Sequence, residues 1–484
     1  MPLSTVVSSP GKVLLTGGYL VLDPAYSGTV ISASSRFYTI VQDDTTVSSG
    51  NIRVRSPQFN DATWNFVVDI DSENILDPES NNATKNKFVQ LALEKTIRLA
   101  VELKEKTIIQ ERATLASLSI SRTLESLKMI KPFNKSGITL SDVHKTGLGS
   151  SAALITSLVS ALLVHFSVLP KSAFSEDAEN NHDAKMDVLG KALAHNLAQY
   201  VHCLAQGKVG SGFDVSAAVF GTHLYTRFDP AVLQLLMDDS THQTLEPVIS
   251  PSNPSWNHSI KPFKLPPLTR LMLADVDAGS DTPSLVGKVL KWRKENSVEA
   301  DTLWREIDQL NQSFAQTLLH ISTLHDQDTV NYGTALKYIS SLQPVQWAAN
   351  PWQPEEEIPI VEAFYEAHRI SQDIREKMRK MGALAGVPIE PPEQTKLLNA
   401  CVSQAGVIGG GVPGAGGYDA IWLLVCDPID CSPDQRPTER VEHVWSNYKD
   451  LDVSPLSTSE STISGSRLEQ LDEVPGLKEA VSIE

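Results

Sequence analysis

Residues 145–153 read Lys145-Thr146-Gly147-Leu148-Gly149-Ser150-Ser151-Ala152-Ala153, and behind them Leu154, Ile155, Leu158, Val159, Leu162, Leu163 and Phe166 recur at helical spacing. Two glycines let the backbone approach a ligand closely. Unpaired N–H groups at the start of the helix, reinforced by its dipole, favour a phosphate there. The stretch therefore predicts a phosphate cradle opening directly into a helix with an apolar face. The lysine precedes the glycines, so this is not a Walker A loop, and the spacing is not that of a dinucleotide fingerprint. Taken alone, the loop also reads as a Gly-Ser turn capping a core helix.

Upstream, short apolar runs at Val6–Val7, Val13–Leu15, Tyr19–Leu22, Val30–Ile31 and Phe37–Val41 alternate with Gly, Pro and Ser, which predicts an N-terminal meander of strands. Downstream, Thr282 and Pro283 suit the cap and first position of a helix carrying Leu285, Val286, Val289 and Leu290. Helical periodicity also runs through 299–323 and 358–381, with a shorter pattern at Leu397, Leu398, Cys401 and Val402. The segment 226–266, rich in Pro, Ser, Asn and His, reads as a connection or insertion. This divides the chain into an N-terminal domain over 1–225, a C-terminal domain over 267–456 and a flexible polar tail over 457–484. Trp292, Trp304, Trp422 and Trp445 are assigned to core packing.

A chain of 484 residues exceeds one ordinary domain, and its 41% hydrophobic and 20% charged content is globular. A net charge of -17 excludes a general nucleic-acid binder, because neutralising a phosphate backbone needs surplus Lys and Arg. An anionic small ligand then requires a local basic pocket. No basic region followed by an apolar core opens the chain, and the apolar stretch 154–169 is broken by Ser157, Ser160 and His165, short of a membrane span. A cytoplasmic protein without a membrane partner is expected. Cys203, Cys401, Cys426 and Cys431 make no disulfide framework and are read as reduced, mostly buried thiols.

Two further glycine-rich segments accompany the cradle: Ser9-Pro10-Gly11-Lys12-Val13-Leu14-Leu15-Thr16-Gly17-Gly18-Tyr19, and Gly409-Gly410-Gly411-Val412-Pro413-Gly414-Ala415-Gly416-Gly417-Tyr418-Asp419-Ala420. In this order the three segments resemble the motifs of the GHMP kinases. Within that superfamily KTGLGSSAA, QGKVGSGFDVSAA, GSDTPSLVGKVLKW and GVPGAGGYDAIW look like the eukaryotic, fungal-type phosphomevalonate kinase family, over roughly residues 5–455.

The resemblance implies an α+β fold of two domains: an N-terminal domain with a left-handed βαβ unit, a ferredoxin-like C-terminal domain, and the active site in the cleft between them. It implies ATP and Mg2+ as cofactors and 5-phosphomevalonate as the acceptor. Lys145, Gly147, Leu148, Gly149, Ser150, Ser151 and Ala152 would hold the ATP phosphates, with Ser150 or Ser151 touching Mg2+, Ser151 being preferred. The S-G-x-D segment Ser211-Gly212-Phe213-Asp214 would supply Asp214 as the catalytic acid, with Lys12 beside it. Phosphoryl transfer asks for such a set, since it is mainly positioning plus neutralisation of charge on phosphate oxygens. Tyr19, Lys208, Ser211, Gly212, Ala415 and Gly416 would line the acceptor side, with Lys145, Lys208, Arg36 and Lys288 as candidate cations.

One departure stands out. Other members of the superfamily carry a glutamate metal ligand upstream of the catalytic aspartate, where this chain reads Gln199-Tyr200-Val201-His202-Cys203. The second metal contact would then come from Asp214 itself, from water, or from another acid such as Asp23. Two rival readings remain: another GHMP enzyme, mevalonate kinase or diphosphomevalonate decarboxylase, and a catalytically inactive metabolite-binding relative.

Overall fold

A computed structural model describes residues 4–43, 50–72, 74–79, 84–104, 113–115, 133, 138–139, 147–175, 184–238, 244–276, 282–349, 354–429, 431–432, 435–462 and 465–482. Lys145 and Thr146 of the cradle, and Gly279-Ser280-Asp281 before the helix at Thr282, lie outside these residues.

The N-terminal runs form two long antiparallel strands, β1 (Ser4–Thr16) and β2 (Gly28–Gln42), where a meander of short ones was expected. The register shifts between Pro10 and Lys12, so the Pro-Gly pair that suggests a strand end instead bulges a continuous strand. That bulge has a use: a Cβ on Gly11 would stand 2.9 Å from the Leu148 carbonyl oxygen, so only glycine lets β1 run this close to the cradle. Beyond the small sheet of β3 (Asn51–Arg55), β4 (Thr63–Val68) and β5 (Leu76–Pro78), the main sheet is completed by β6 (Ala113–Leu115), β7 (His223–Thr226) and β8 (Ser259–Pro262).

Helices α1 (Lys87–Leu103), α2 (Ser150–His165), α3 (Ala184–Gln206) and α4 (Phe213–Phe220) belong to the same half. Alternation along β1 directs its side chains to opposite faces. Leu14 packs with Val30, Ala217 and Tyr225, whereas Val13 and Leu15 join Ile31 in a core shared with Phe314, Phe364 and Trp422 of the C-terminal half. The strand that carries Lys12 is therefore the seam between the two halves.

The C-terminal half runs β9 (Thr269–Asp275), the helices α5 (Thr282–Glu295), α6 (Ser297–Gln327), α7 (Thr329–Ser340), α8 (Ile358–Ala385) and α9 (Pro392–Val402), then β10 (Val407–Gly411), β11 (Ala420–Cys426), α10 (Pro437–Asn447) and β12 (Ser454–Leu456). The strands lie in the order β10-β11-β9-β12 with every neighbouring pair antiparallel, which is the ferredoxin-like arrangement the resemblance implies. The four assigned tryptophans are buried, and Cys203, Cys401 and Cys426 are buried free thiols.

Two expectations about organisation need correction. The segment 226–266 is no loose connection: β8 extends the N-terminal sheet, and Trp256 and Ile249 enter its core. Nor is 457–484 flexible over its described residues. Arg467–Leu468 (β13) pairs with Val7 and Ser8 of β1, Ser466 Oγ lies 2.7 Å from Ser9 Oγ, and Leu477, in a closing helix α11 (Leu477–Ser482), packs on Val6 and Ile40. Low aromatic content concealed this, because the docking is made by backbone pairing and scattered aliphatic residues such as Leu468, Leu471, Val474 and Leu477. Among the described residues no helix is long and apolar enough to cross a membrane.

Candidate active site

The cradle and β1 are tied together by their backbones. Gly147 (φ 70) and Gly149 (φ 77) take left-handed conformations, Gly149 caps α2, and the Lys12 N–H donates to the Leu148 carbonyl at 2.8 Å. The Lys12 ammonium donates to the Gly147 carbonyl at 2.7 Å and lies 5.1 Å above the Phe213 ring. Burial lowers the pKa of this ammonium from its ordinary value, opposed by the nearby carboxylates of Asp214 and Asp419. Space stands open beside Gly147 where a Cβ would be. The first N–H groups of α2 have no acceptor within the helix.

Asp214 sits in the first turn of α4, behind the left-handed Gly212 (φ 79) that caps it. It is not the helix cap, and its Oδ1 accepts from the Val215 N–H at 3.0 Å. Gly212 is held from below: its carbonyl accepts from Gln199 Nε2 at 2.7 Å, and a Cβ there would press on Gln199 and Phe228. The Ser211 carbonyl accepts from the Tyr225 hydroxyl at 2.9 Å. Buried Arg227, which no motif or pattern singles out, donates to the carbonyls of Leu22 and Gly210 and so clamps the S-G-x-D turn to the N-terminal segment.

The C-terminal glycine loop closes the other wall. Tyr19, held at φ 65, donates from its hydroxyl to the Ala415 carbonyl at 2.7 Å, so it acts first as a strut between the two halves. Burial raises its phenol pKa above the ordinary value. Gly18 packs so tightly against the Gly414 carbonyl that a Cβ would overlap it. Gly416 (φ 70) lies against the Ile389 carbonyl, which accepts from the Gly417 N–H at 2.9 Å. Next to it, Glu390 is locked by Arg375 and Arg379.

Between these walls lies an open cavity of about 160 Å³, lined among others by Lys12, Tyr19, Gly147, Ser211, Gly416 and Asp419. Asp419 ends the G-G-Y-D string quoted above, yet carried no assigned role. Its place at the end of a glycine loop, one residue before β11, was the available signal.

Other candidates lie elsewhere. Arg36 donates to Ser8 Oγ and to the carbonyls of Ser8 and Gly465, serving the docked C-terminal segment. Asp23 pairs with Arg293 at 2.9 Å and does not line the cavity. Lys208 and Lys288 are exposed and do not line the cavity. Among the described residues no group of three or more His, Cys, Asp or Glu converges as a metal cage. Ser151 and Asp214 both face His202: Ser151 Oγ lies 3.1 Å from its Nε2, and Asp214 Oδ2 lies 3.7 Å from its Nδ1.

The family GHMP kinases C terminal matches residues 360–450. A phosphomevalonate kinase of Aspergillus fumigatus is 35% identical over 89% of this chain and 88% of its own, and that of Candida albicans is 33% identical over 92% and 95%. The chain belongs to the phosphomevalonate kinase family. An Arabidopsis thaliana relative named a peroxisomal phosphomevalonate kinase is 35% identical, covering 87% of this chain and 90% of its own. The GHMP-kinase fold is seen directly in a Streptococcus pneumoniae phosphomevalonate kinase solved with phosphomevalonate and AMPPNP, at TM-score 0.54, 17% identity, and coverage of 94% of this chain and 99% of that one.

Proposed function

We propose that this kinase transfers the γ-phosphoryl group of ATP to the phosphate of (R)-5-phosphomevalonate, giving 5-diphosphomevalonate and ADP on the mevalonate route to isoprenoids and sterols. The observation that carries the reading is convergence. In a chain of this family, Lys12, whose ammonium feels the Asp214 carboxylate, and the open Gly147 turn meet at a single cleft closed by the Ala415–Gly416 loop.

The residues present fit a bound nucleotide. Free N–H groups at the start of α2 and the open face of Gly147 would take the ATP phosphates, in the region of Leu148, Ser150, Ser151 and Ala152. A sparse donor set suits Mg2+, which keeps waters and substrate oxygens and needs only one or two protein carboxylates. Asp214 and Ser151 would supply that set. When bound, Mg2+ neutralises charge on the β- and γ-phosphate oxygens.

The chain's own residues do the rest. Lys12, fixed by the Gly147 carbonyl and its aromatic neighbour, offers a positive charge to the transferring group without reorganising. Asp214 orients the acceptor oxygen or takes its proton, and the tight Gly18–Gly414 and Gly416–Ile389 contacts set the height of the acceptor wall. The kinase is proposed to act in the cytoplasm. Fractionation with a peroxisomal marker would overturn that, the location carried by the plant relative's name.

The test offers mevalonate, 5-phosphomevalonate and 5-diphosphomevalonate in parallel with ATP and Mg2+, identifying product by mass. Diphosphate formed from phosphomevalonate alone is expected. Turnover of either other acceptor moves the substrate, and ATP binding without turnover of any makes the chain an inactive relative.

A further inference from the structure

Helix α3 places one imidazole between the two residues on which the proposed chemistry leans most. His202 is 4% exposed, and its Nε2 lies 3.1 Å from Ser151 Oγ and 3.0 Å from Gln206 Nε2. On the other edge, Nδ1 faces Asp214 Oδ2 at 3.7 Å.

The hydrogen on this ring can be assigned from its neighbours. An amide nitrogen only donates, so Gln206 requires Nε2 to be the acceptor, and Nδ1 then carries the hydrogen. A carboxylate accepts only, so Asp214 requires the same tautomer from the opposite edge. Both constraints agree. Two consequences follow for the site. The Ser151 hydroxyl shares the single Nε2 lone pair with the Gln206 amide, and donating inward leaves its oxygen lone pairs for the cleft. Asp214 has Oδ1 engaged by the Val215 N–H, and Oδ2 lies 3.7 Å from His202 Nδ1, a polar contact longer than a hydrogen bond that biases the carboxylate while its side chain keeps 21% exposure.

We propose that His202 is a positioning residue that couples the cradle to the catalytic aspartate: through one ring it sets the direction of the Ser151 hydroxyl and the rotamer of Asp214. This rests on the phosphoryl-transfer reading above. The ring ties the start of α2 to the start of α4, so a nucleotide held by one is registered against the acid of the other. Partners of this kind typically contribute 10–100-fold.

Isosteres separate the two edges of the ring. Asparagine can keep an N–H near Nδ1, glutamine can keep a group near Nε2, and alanine keeps neither. With phosphomevalonate and ATP, His202→Ala is expected to lower kcat about 10–100-fold while KM for ATP stays within about twofold. His202→Asn should recover most of that loss and His202→Gln little. The proposal is overturned by full kcat in His202→Ala, or by losses in all three that follow their melting temperatures with Asn no better than Ala. A second readout needs no turnover: nitrogen NMR of histidine-labelled wild type should show His202 protonated at Nδ1 and bare at Nε2. The opposite tautomer sinks the assignment. A wild type that phosphorylates none of the acceptors would defeat the functional reading instead, and the tautomer would still decide the geometry.

Discussion

Replacing Glu390 by glutamine should both weaken the C-terminal half and loosen the acceptor wall. Glu390 is 6% exposed and takes Arg375 in a two-pronged pair at 3.0 and 2.7 Å, with Arg379 at 2.8 Å. Arg375 is itself 4% exposed, its other bonds going to Gln372 at 2.7 Å and Asn399 at 3.0 Å, both uncharged. Removing one partner of a buried pair costs about 3–5 kcal/mol, because the remaining charge stays out of water. Glutamine keeps one acceptor oxygen, which places the expected cost near the lower bound, about 3 kcal/mol. At roughly 2–4 °C per kcal/mol for a domain of this size, calorimetry should show the melting temperature falling by roughly 6–12 °C. The functional half follows from the chain: Ile389, the preceding residue, holds the Gly417 N–H at 2.9 Å. KM for phosphomevalonate should therefore rise several-fold with KM for ATP unchanged, since the cradle stands on the other half. A melting temperature within about 2 °C of wild type, below the shift of even 1 kcal/mol, or an equal rise in both KM values, would refute this reasoning.

Gly18→Ala would force a methyl group into the Gly414 carbonyl, so it should raise KM for the acceptor with little change in fold, as seen by titration calorimetry with phosphomevalonate. Burial, helped by His258, lowers the pKa of His223 to about 4, so it stays neutral when folded but charges near pH 6.5 when unfolded. The linked stability is fully present above pH 6.5 and drains away as pH falls toward 4, about 2 kcal/mol by pH 5, and urea titrations of His223→Asn should lack that slope. Glu460 has the opposite sign: burial lifts its carboxyl to about 7, so its contribution is present below the ordinary carboxylate range and is lost as pH rises toward 7. Glu460→Gln should flatten that loss, read as protection of residues 454–462 from proteolysis.

Much of this site was legible because its chemistry is written in adjacent residues. Gly147, Gly149 and the helix behind them needed no tertiary information, and Lys12 and Asp214 stand in short glycine-flanked strings whose geometry is local. The ferredoxin-like half was foreseen only through the family resemblance, since its helical periodicities mark helices and say nothing of strand order. What escaped depends on distant partners. Asp419 acts on Lys12 only because β11 and β1 meet at the seam, and Arg227 matters only through carbonyls supplied by Leu22 and Gly210. The segment 226–266 and the C-terminal residues looked like linker and tail because backbone pairing with β7 and β1 leaves no pattern in composition. Arg36 was drawn to the acceptor by proximity to a motif, while its guanidinium faces the docked C-terminal segment.

The most direct test of the account is Asp214→Asn, measured as the single-turnover rate of phosphoryl transfer beside the affinity for ATP. The account predicts a rate lower by about 10²–10⁴-fold, the usual worth of a positioned acid or base, with ATP affinity within about twofold. Transfer at the wild-type rate would contradict it and move the reaction away from the cleft of Lys12 and Asp214.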